Sequence, residues 1–238
     1  FDLNNLSPYI PTRVAKDINE RGAWMNRALQ GLYSPGSTFK IVTAMAGIRG
    51  GYIDGTTKTY CSGSYHVGSR LFRCHVRIGH GGVNLHEAIK SSCNVFFYQY
   101  SQDIGVDLIS HEAKRFDLHQ PTRIELPFEP ANMIVPSREW KQEKQNQPWF
   151  PGDTANLSIG QGSLRVTPLQ VACFTAAFAR RETAFTPTVI FDSYRQAVPS
   201  KRNIGLTDVN YNRLLGGMEA AAVNGTAKLV KVPGVRIA

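Results

Sequence analysis

Ser37 and Lys40 stand three residues apart in Pro35-Gly36-Ser37-Thr38-Phe39-Lys40, where a polar, turn-forming stretch gives way to an apolar one. Residues three apart on a helix share a face, so a helix starting here brings the Lys40 amine towards the Ser37 hydroxyl. The chemistry on offer is nucleophilic. A serine attacks a carbonyl when a neighbour takes its proton, and a lysine takes it only when its own pKa is pulled down. Burial in an apolar helix and the positive helix N-terminus both act in that direction. The sequence contains this Ser-x-x-Lys spacing once; its plainer reading is a helix-capping serine and a solvated lysine. Ser92-Cys93-Asn94, starting 55 residues after Ser37, offers a second hydroxyl to relay a proton and an amide to hold a carbonyl. Its plainer reading is a cap on the following helix.

A second set of side chains has metal-ligand character. Cys61, Cys74, His80 and Cys93 form a C-x12-C-x5-H-x12-C series. Three thiols and an imidazole are a common donor set for a tetrahedral structural zinc. Disulfide chemistry competes with that reading, although three clustered cysteines leave one without a partner, and unpaired thiols are the third option. His66 and His75 are reserve ligands or surface imidazoles, and Cys173, in an apolar run, reads as a small buried hydrophobe.

These residues need elements to position them. Residues 1–36 read as an irregular approach segment. Apolar residues at Phe39, Ile41, Val42, Met45 and Ile48 predict a buried helix from Ser37, stopped at Gly50-Gly51. Short strands and loops are expected over 52–84, a helix over 85–90, another through Val95 to Ile104 ahead of Gly105, and a further one over 106–116. Pro-rich loops are expected through Phe150 and a Gly-rich turn region over 153–162. Thr167 is placed to cap, and Pro168 to begin, a helix running to Ala179. A strand with loops over 185–205, an amphipathic helix over 208–223 and the start of a strand over 230–238 complete the reading.

With 238 residues, 42% hydrophobic and 19% charged, the composition is that of a globular chain, and disordered and collagen-like classes are excluded. The formal charge of +9 favours anionic partners, but the basic residues are dispersed, without a basic run or finger spacing, so nucleic acid is not expected among them. No stretch approaches the roughly 20 apolar residues of a membrane span, and Phe1 to Pro8 do not read as a signal peptide. Any anchor or targeting segment is expected outside this chain.

The ordered motifs carry a resemblance. Pro35 to Lys40, Ser92-Cys93-Asn94 with Val95 to Gln99, Ile159-Gly160-Gln161-Gly162 and Thr167 to Gln170 are similar to the transpeptidase domain of class B penicillin-binding proteins. Pro136 to Lys141 and Trp149 to Thr154 resemble the elongation-type members. The likeness covers residues 1–238, which it implies to be one partial transpeptidase domain. The implied fold is α+β, shared with serine beta-lactamases: an antiparallel sheet flanked by helices, a helical lobe, and a site in the cleft between them. The implied activity is D-alanyl-D-alanine transpeptidation of peptidoglycan stem peptides, with beta-lactam antibiotics as inhibitors. Ser37 is the implied nucleophile, Lys40 its base, Ser92 the relay and Asn94 the partner of Lys40 and of the substrate amide; Gly160, Gln161 and Gly162 are implied to bind substrate. The resemblance also implies a zinc held by Cys61, Cys74, His80 and Cys93. Its implied setting is the extracytoplasmic side of the inner membrane, beside a glycosyltransferase of the elongation machinery. A third motif, Lys-Thr-Gly, is expected just beyond Gly234 to Ala238, outside this sequence. A serine beta-lactamase or carboxypeptidase, or a non-enzymatic beta-lactam sensor, would share Ser37, Lys40 and Ser92.

Overall fold

The computed structural model describes residues 9–190, 202–230 and 234–238. Its central element is α5, Asn94–Arg115, which carries Val95, Phe96, Phe97, Ile104 and Ile109 into the core. α5 is broken at Gly105 (φ 76°, ψ 160°), the point at which the sequence separates two helices. Helices α3, Lys40–Arg49, and α7, Pro151–Ser158, both pack on α5. α3 is nearly continuous in burial from Lys40 to Gly47, and one hydrophobic cluster joins Phe39, Val42 and Met45 to Phe96, Leu157, Phe178 and Leu214. Truncating a buried phenylalanine in such a cluster costs about 3–5 kcal/mol.

The helical starts follow their capping residues. In α4, Leu85–Lys90, the Asn84 side chain accepts from the Glu87 N–H and Glu87 accepts from the Asn84 N–H, each at 3.0 Å. Thr167 and Gln170 do the same for α8, Pro168–Ala179, with Pro168 in the first turn. α9, Asp208–Asn224, capped by Thr207, lies against α4.

The strands are short and gathered between α3 and α4. β1, Lys58–Cys61, pairs antiparallel with β4, Gly81–Asn84, and β2, Ser64–Val67, pairs antiparallel with β3, Arg70–Arg73. Their close crossing rests on glycine: a Cβ on Gly79, at φ 84°, would sit 2.0 Å from the Cys61 carbonyl oxygen. The mixture of helices and antiparallel pairs gives the expected α+β class.

Four expectations are corrected. The approach segment holds α1, Thr12–Glu20, and α2, Arg27–Gln30. The helix predicted from Ser37 opens with a 3-10 turn over Gly36–Phe39. The loops expected through Phe150 contain α6, Arg138–Gln145, and the expected Gly-rich turn region is mostly α7. In both late helices, pairing contacts outweigh the Pro and Gly signals: Lys141 donates to Asp153 at 2.5 Å, and Asp153 accepts from the Phe150 N–H at 2.8 Å. The predicted strands over 185–205 and 230–238 lie partly outside the described residues; their described parts hold only an isolated antiparallel bridge of Asn203 with Glu182.

Candidate functional site

Ser37 sits in the 3-10 turn and Lys40 is the first residue of α3, 2% exposed. The Lys40 Nζ donates to the Ser92 carbonyl at 2.7 Å, to Ser92 Oγ at 2.9 Å and to Asn94 Oδ1 at 2.7 Å. These use all three donors of an ammonium group. Ser92 Oγ in turn lies 3.0 Å from Ser37 Oγ. Among the described contacts Lys40 therefore bonds Ser92 and Asn94 and reaches Ser37 through Ser92, where the helix face alone predicts a direct approach. Burial is the largest influence on the amine and pulls its pKa from 10.5 to about 8, against a smaller opposing effect of the Cys74 and Cys93 thiols. About a tenth of such an amine is uncharged at pH 7.

The Ser92 turn has a strained backbone. Ser92 lies at φ 51°, in the left-handed region that L-residues seldom occupy. That turn separates α4 from α5 and puts the Ser92 side chain and carbonyl on the same amine. Asn94 is held at both ends of its amide, by Lys40 at Oδ1 and by the Arg73 carbonyl at 3.3 Å from Nδ2.

The opposite boundary comes from the end of α7. Thr43 of α3 donates to the Ser158 carbonyl at 2.8 Å, fixing that end. The Gly36 N–H then donates to the Gly160 carbonyl at 2.9 Å. Gly160 has φ 70°, and a Cβ there would lie 2.2 Å from the Gly36 oxygen, so the close approach requires glycine. Gln161 reaches a groove of about 400 Å³ lined also by Ser37, His75, Ser92, Asn94, Ile159 and Thr226. Of the three residues expected to bind substrate, Gln161 lines the groove, Gly160 backs onto the Ser37 turn, and the Gly162 carbonyl is taken by Arg165 at 2.8 Å. Ile159, the first residue of the Ile159 to Gly162 motif, was given no binding role from sequence, and nothing in the sequence points Thr226, 134 positions after Ser92, into the groove.

The sulfur and imidazole donors also converge. Cys61 closes β1, Cys74 follows β3, His80 precedes β4 and Cys93 caps α5, and their ligand atoms lie within 4.8 Å of one another. His80 Nδ1 is 3.6 Å from both Cys61 Sγ and Cys74 Sγ. A tetrahedral zinc with bonds of about 2.3 Å to sulfur and about 2.0 Å to nitrogen separates such a pair by about 3.6 Å, so the donor set fits that ion. All four cysteines are free thiols. The Cys74 thiol is drawn far below the ordinary range, chiefly by a hydrogen bond from Cys93, which is raised for the same reason. His75 is outside this set, with Nδ1 3.8 Å from Cys74 Sγ, and exposed His66 lies on β2. Cys173 is buried in α8 and its pKa is pushed up to about 11 by that burial. The cluster touches the relay directly, because the Asn94 N–H donates to Cys74 Sγ at 3.3 Å.

Comparison with known proteins gives concordant matches. A family model described as penicillin binding protein transpeptidase domain matches residues 7–238. The peptidoglycan D,D-transpeptidase MrdA of Acinetobacter baumannii is 34% identical over 222 residues, which is 90% of this chain and 33% of that protein. This chain thus spans about a third of that relative's length. Penicillin-binding protein 2 of Pseudomonas aeruginosa superposes with a TM-score of 0.84 at 31% identity, over 97% of this chain and 52% of that one. A structure described as a peptidoglycan synthase complex coordinating polymerization and crosslinking superposes with a TM-score of 0.77 at 29% identity, over 99% of this chain and 43% of that one.

Proposed function

This chain belongs to the penicillin-binding protein transpeptidase family, and on that premise we propose that it is the nucleophile-bearing part of a peptidoglycan D,D-transpeptidase of the elongation type. The observation that carries the proposal is the continuous path from Ser37 Oγ through Ser92 Oγ to a buried Lys40 amine whose pKa lies near 8. With Lys40 uncharged, its lone pair accepts from Ser92 while Ser92 accepts from Ser37. Ser37 Oγ then attacks the carbonyl carbon of the penultimate D-alanine, and its proton passes by way of Ser92 to Lys40. Collapse of the tetrahedral adduct breaks the peptide bond, and the departing D-alanine amine takes that proton back. An amine from a second stem peptide attacks the Ser37 ester along the same path and releases the cross-linked product. Asn94, clamped between Lys40 and the Arg73 carbonyl, keeps the amine aimed at Ser92, and Gln161 faces the bound peptide across the groove. A beta-lactam acylates Ser37 in the same way, its opened ring remaining in place of the leaving group.

The reading extends to the setting. Residues 1–238 are part of one transpeptidase domain on the extracytoplasmic side of the inner membrane, held there by an anchoring segment; none of the described helices is long and apolar enough to cross a membrane. The partner is a glycan-polymerising glycosyltransferase, a pairing supported by the likeness to the synthase complex. Zinc is the metal for which Cys61, Cys74, His80 and Cys93 are suited, and it would serve as a structural brace. A labelled penicillin incubated with the full-length protein is expected to form an ester mapped to Ser37. Label surviving Ser37→Ala would overturn the assignment. Joining of two stem peptides by the wild type is the expected reaction; hydrolysis alone would indicate a carboxypeptidase or beta-lactamase, and acylation without turnover of peptide a sensor.

A further inference from the structure

Charge is distributed unevenly along the chain. Between Asp54 and Glu87 the chain carries Lys58, Arg70, Arg73 and Arg77 and not one Asp or Glu. Most other described arginines are matched: Glu112 takes Arg49 and Arg115, Asp107 takes Arg138, Asp208 takes Arg181 and Asp117 takes Arg202. Arg70 lies over the Phe72 ring, 5.1 Å from its centroid, but the side chains of Arg73 and Arg77 have no ion pair or hydrogen bond among the described residues. Both are exposed.

Arg73 is also the best placed of them. It ends β3 opposite Ser64, on the hairpin face away from Phe72, and its carbonyl accepts from Asn94 Nδ2 and, at 3.5 Å, from the Tyr98 hydroxyl. Its backbone is thus one hydrogen bond from the side chain that holds Lys40, and His75, two residues on, lines the groove with Ser37. An exposed, unpaired guanidinium on a backbone that is bonded to groove-lining Asn94 and lies two residues from groove-lining His75 is suited to a carboxylate, which arginine grips by two parallel hydrogen bonds.

Resting on the transpeptidase reading above, we propose that Arg73 binds a free carboxylate carried by an acidic residue of the donor stem peptide, upstream of its D-alanyl-D-alanine end, with Arg77 and Arg70 supplying the surrounding positive field. Arg73 is then a specificity-determining residue for the acyl donor. It leaves the attacking serine untouched and selects which peptides are presented to it.

The test uses the full-length enzyme and two donor peptides that end in D-alanyl-D-alanine, identical except that the upstream carboxylates are free in one and amidated in the other. D-alanine release should show a kcat/KM preference of about tenfold for the free acid, the size expected of one charge-assisted contact. That preference should shrink towards unity in Arg73→Gln and in high salt, which screens exposed charges, and should return in part in Arg73→Lys. Acylation by benzylpenicillin, which has no upstream peptide, should stay within about twofold in every variant. Equal use of both peptides by the wild type would overturn the proposal. So would an Arg73→Gln loss equal for both peptides and for penicillin, since that marks a structural role through Asn94. Release of D-alanine from neither peptide by the wild type would defeat the transpeptidase reading, and the carboxylate contact with it.

Discussion

The helical hub and the strand knot meet at Asn94 and are held by different forces. In the hub, α3 and α5 bury Phe39, Val42, Met45, Phe96 and Phe97 against each other, so the positions of Ser37 and Lys40 follow from apolar packing. In the knot, residues 58–84, each strand has four residues, and the fully buried side chains are Cys61, Val67, Phe72, Cys74 and Val83. Two of those five are sulfur donors of the Cys–His cluster. One half of the site is thus held by its core, and the other, with three buried apolar side chains besides its sulfurs, would lean on ligand chemistry under the zinc proposal. A relay assembled from both inherits the weaknesses of each.

The sharpest way to break this comparison is at the hub's chemical end. Lys40→Ala removes the only base on the path, and penicillin acylation of the full-length protein should slow by about a thousandfold or more; stopped-flow acylation giving less than about tenfold would move the base elsewhere. Next in size is Phe96→Ala, expected to cost about 3–5 kcal/mol in chemical denaturation while the cluster keeps its metal, because the lost contacts belong to the hub. Loss of metal along with stability would mean that the two halves are one cooperative unit.

The knot is tested by Cys61→Ser. Elemental analysis should find about one zinc per wild-type chain and much less in the variant, with a lowered Tm and acylation reduced about tenfold to a hundredfold. Cys61 is not among the contacts of the relay, so an unchanged acylation rate would show that the knot does not support the site. The smallest effect comes from protons. Lys40, with its pKa lowered to about 8, must be uncharged to act, so acylation should rise about tenfold from pH 6 to pH 7 and level off above about pH 8. A rate flat across that range would disconnect the buried amine from the chemistry.

What could be read from the sequence divides along a physical line. α4, α8 and α9 were legible because each begins at a capping residue whose partner lies within the next turn. α6 was hidden because Arg138-Glu139-Trp140-Lys141-Gln142-Glu143-Lys144-Gln145 has almost no apolar face, and its one buried residue, Lys141, is placed by Asp153 from another helix. α7 was hidden for the converse reason, since Pro151 and Gly152 look like turn residues until the chain on either side is fixed. In the site, the residue types and their spacing picked out Ser37, Lys40, Ser92 and Asn94, and the donor set Cys61, Cys74, His80 and Cys93. Ser92 was expected as the relay; that Lys40 bonds Ser92 and Asn94 instead of approaching Ser37 directly, as the helix face predicts, was not legible, because it depends on a left-handed backbone at Ser92 and on how α3 meets α5.

The contact between Gly36 and Gly160 bears on how the groove admits a ligand. With the Gly36 amide bonded to the Gly160 carbonyl and no room for even a methyl group between them, those two segments form a fixed wall of the groove. His75, exposed on the loop that follows β3, lines the same groove. Clearance for a bulky acyl group must then come from the other walls of the groove, where His75, Ser92, Asn94 and Thr226 stand.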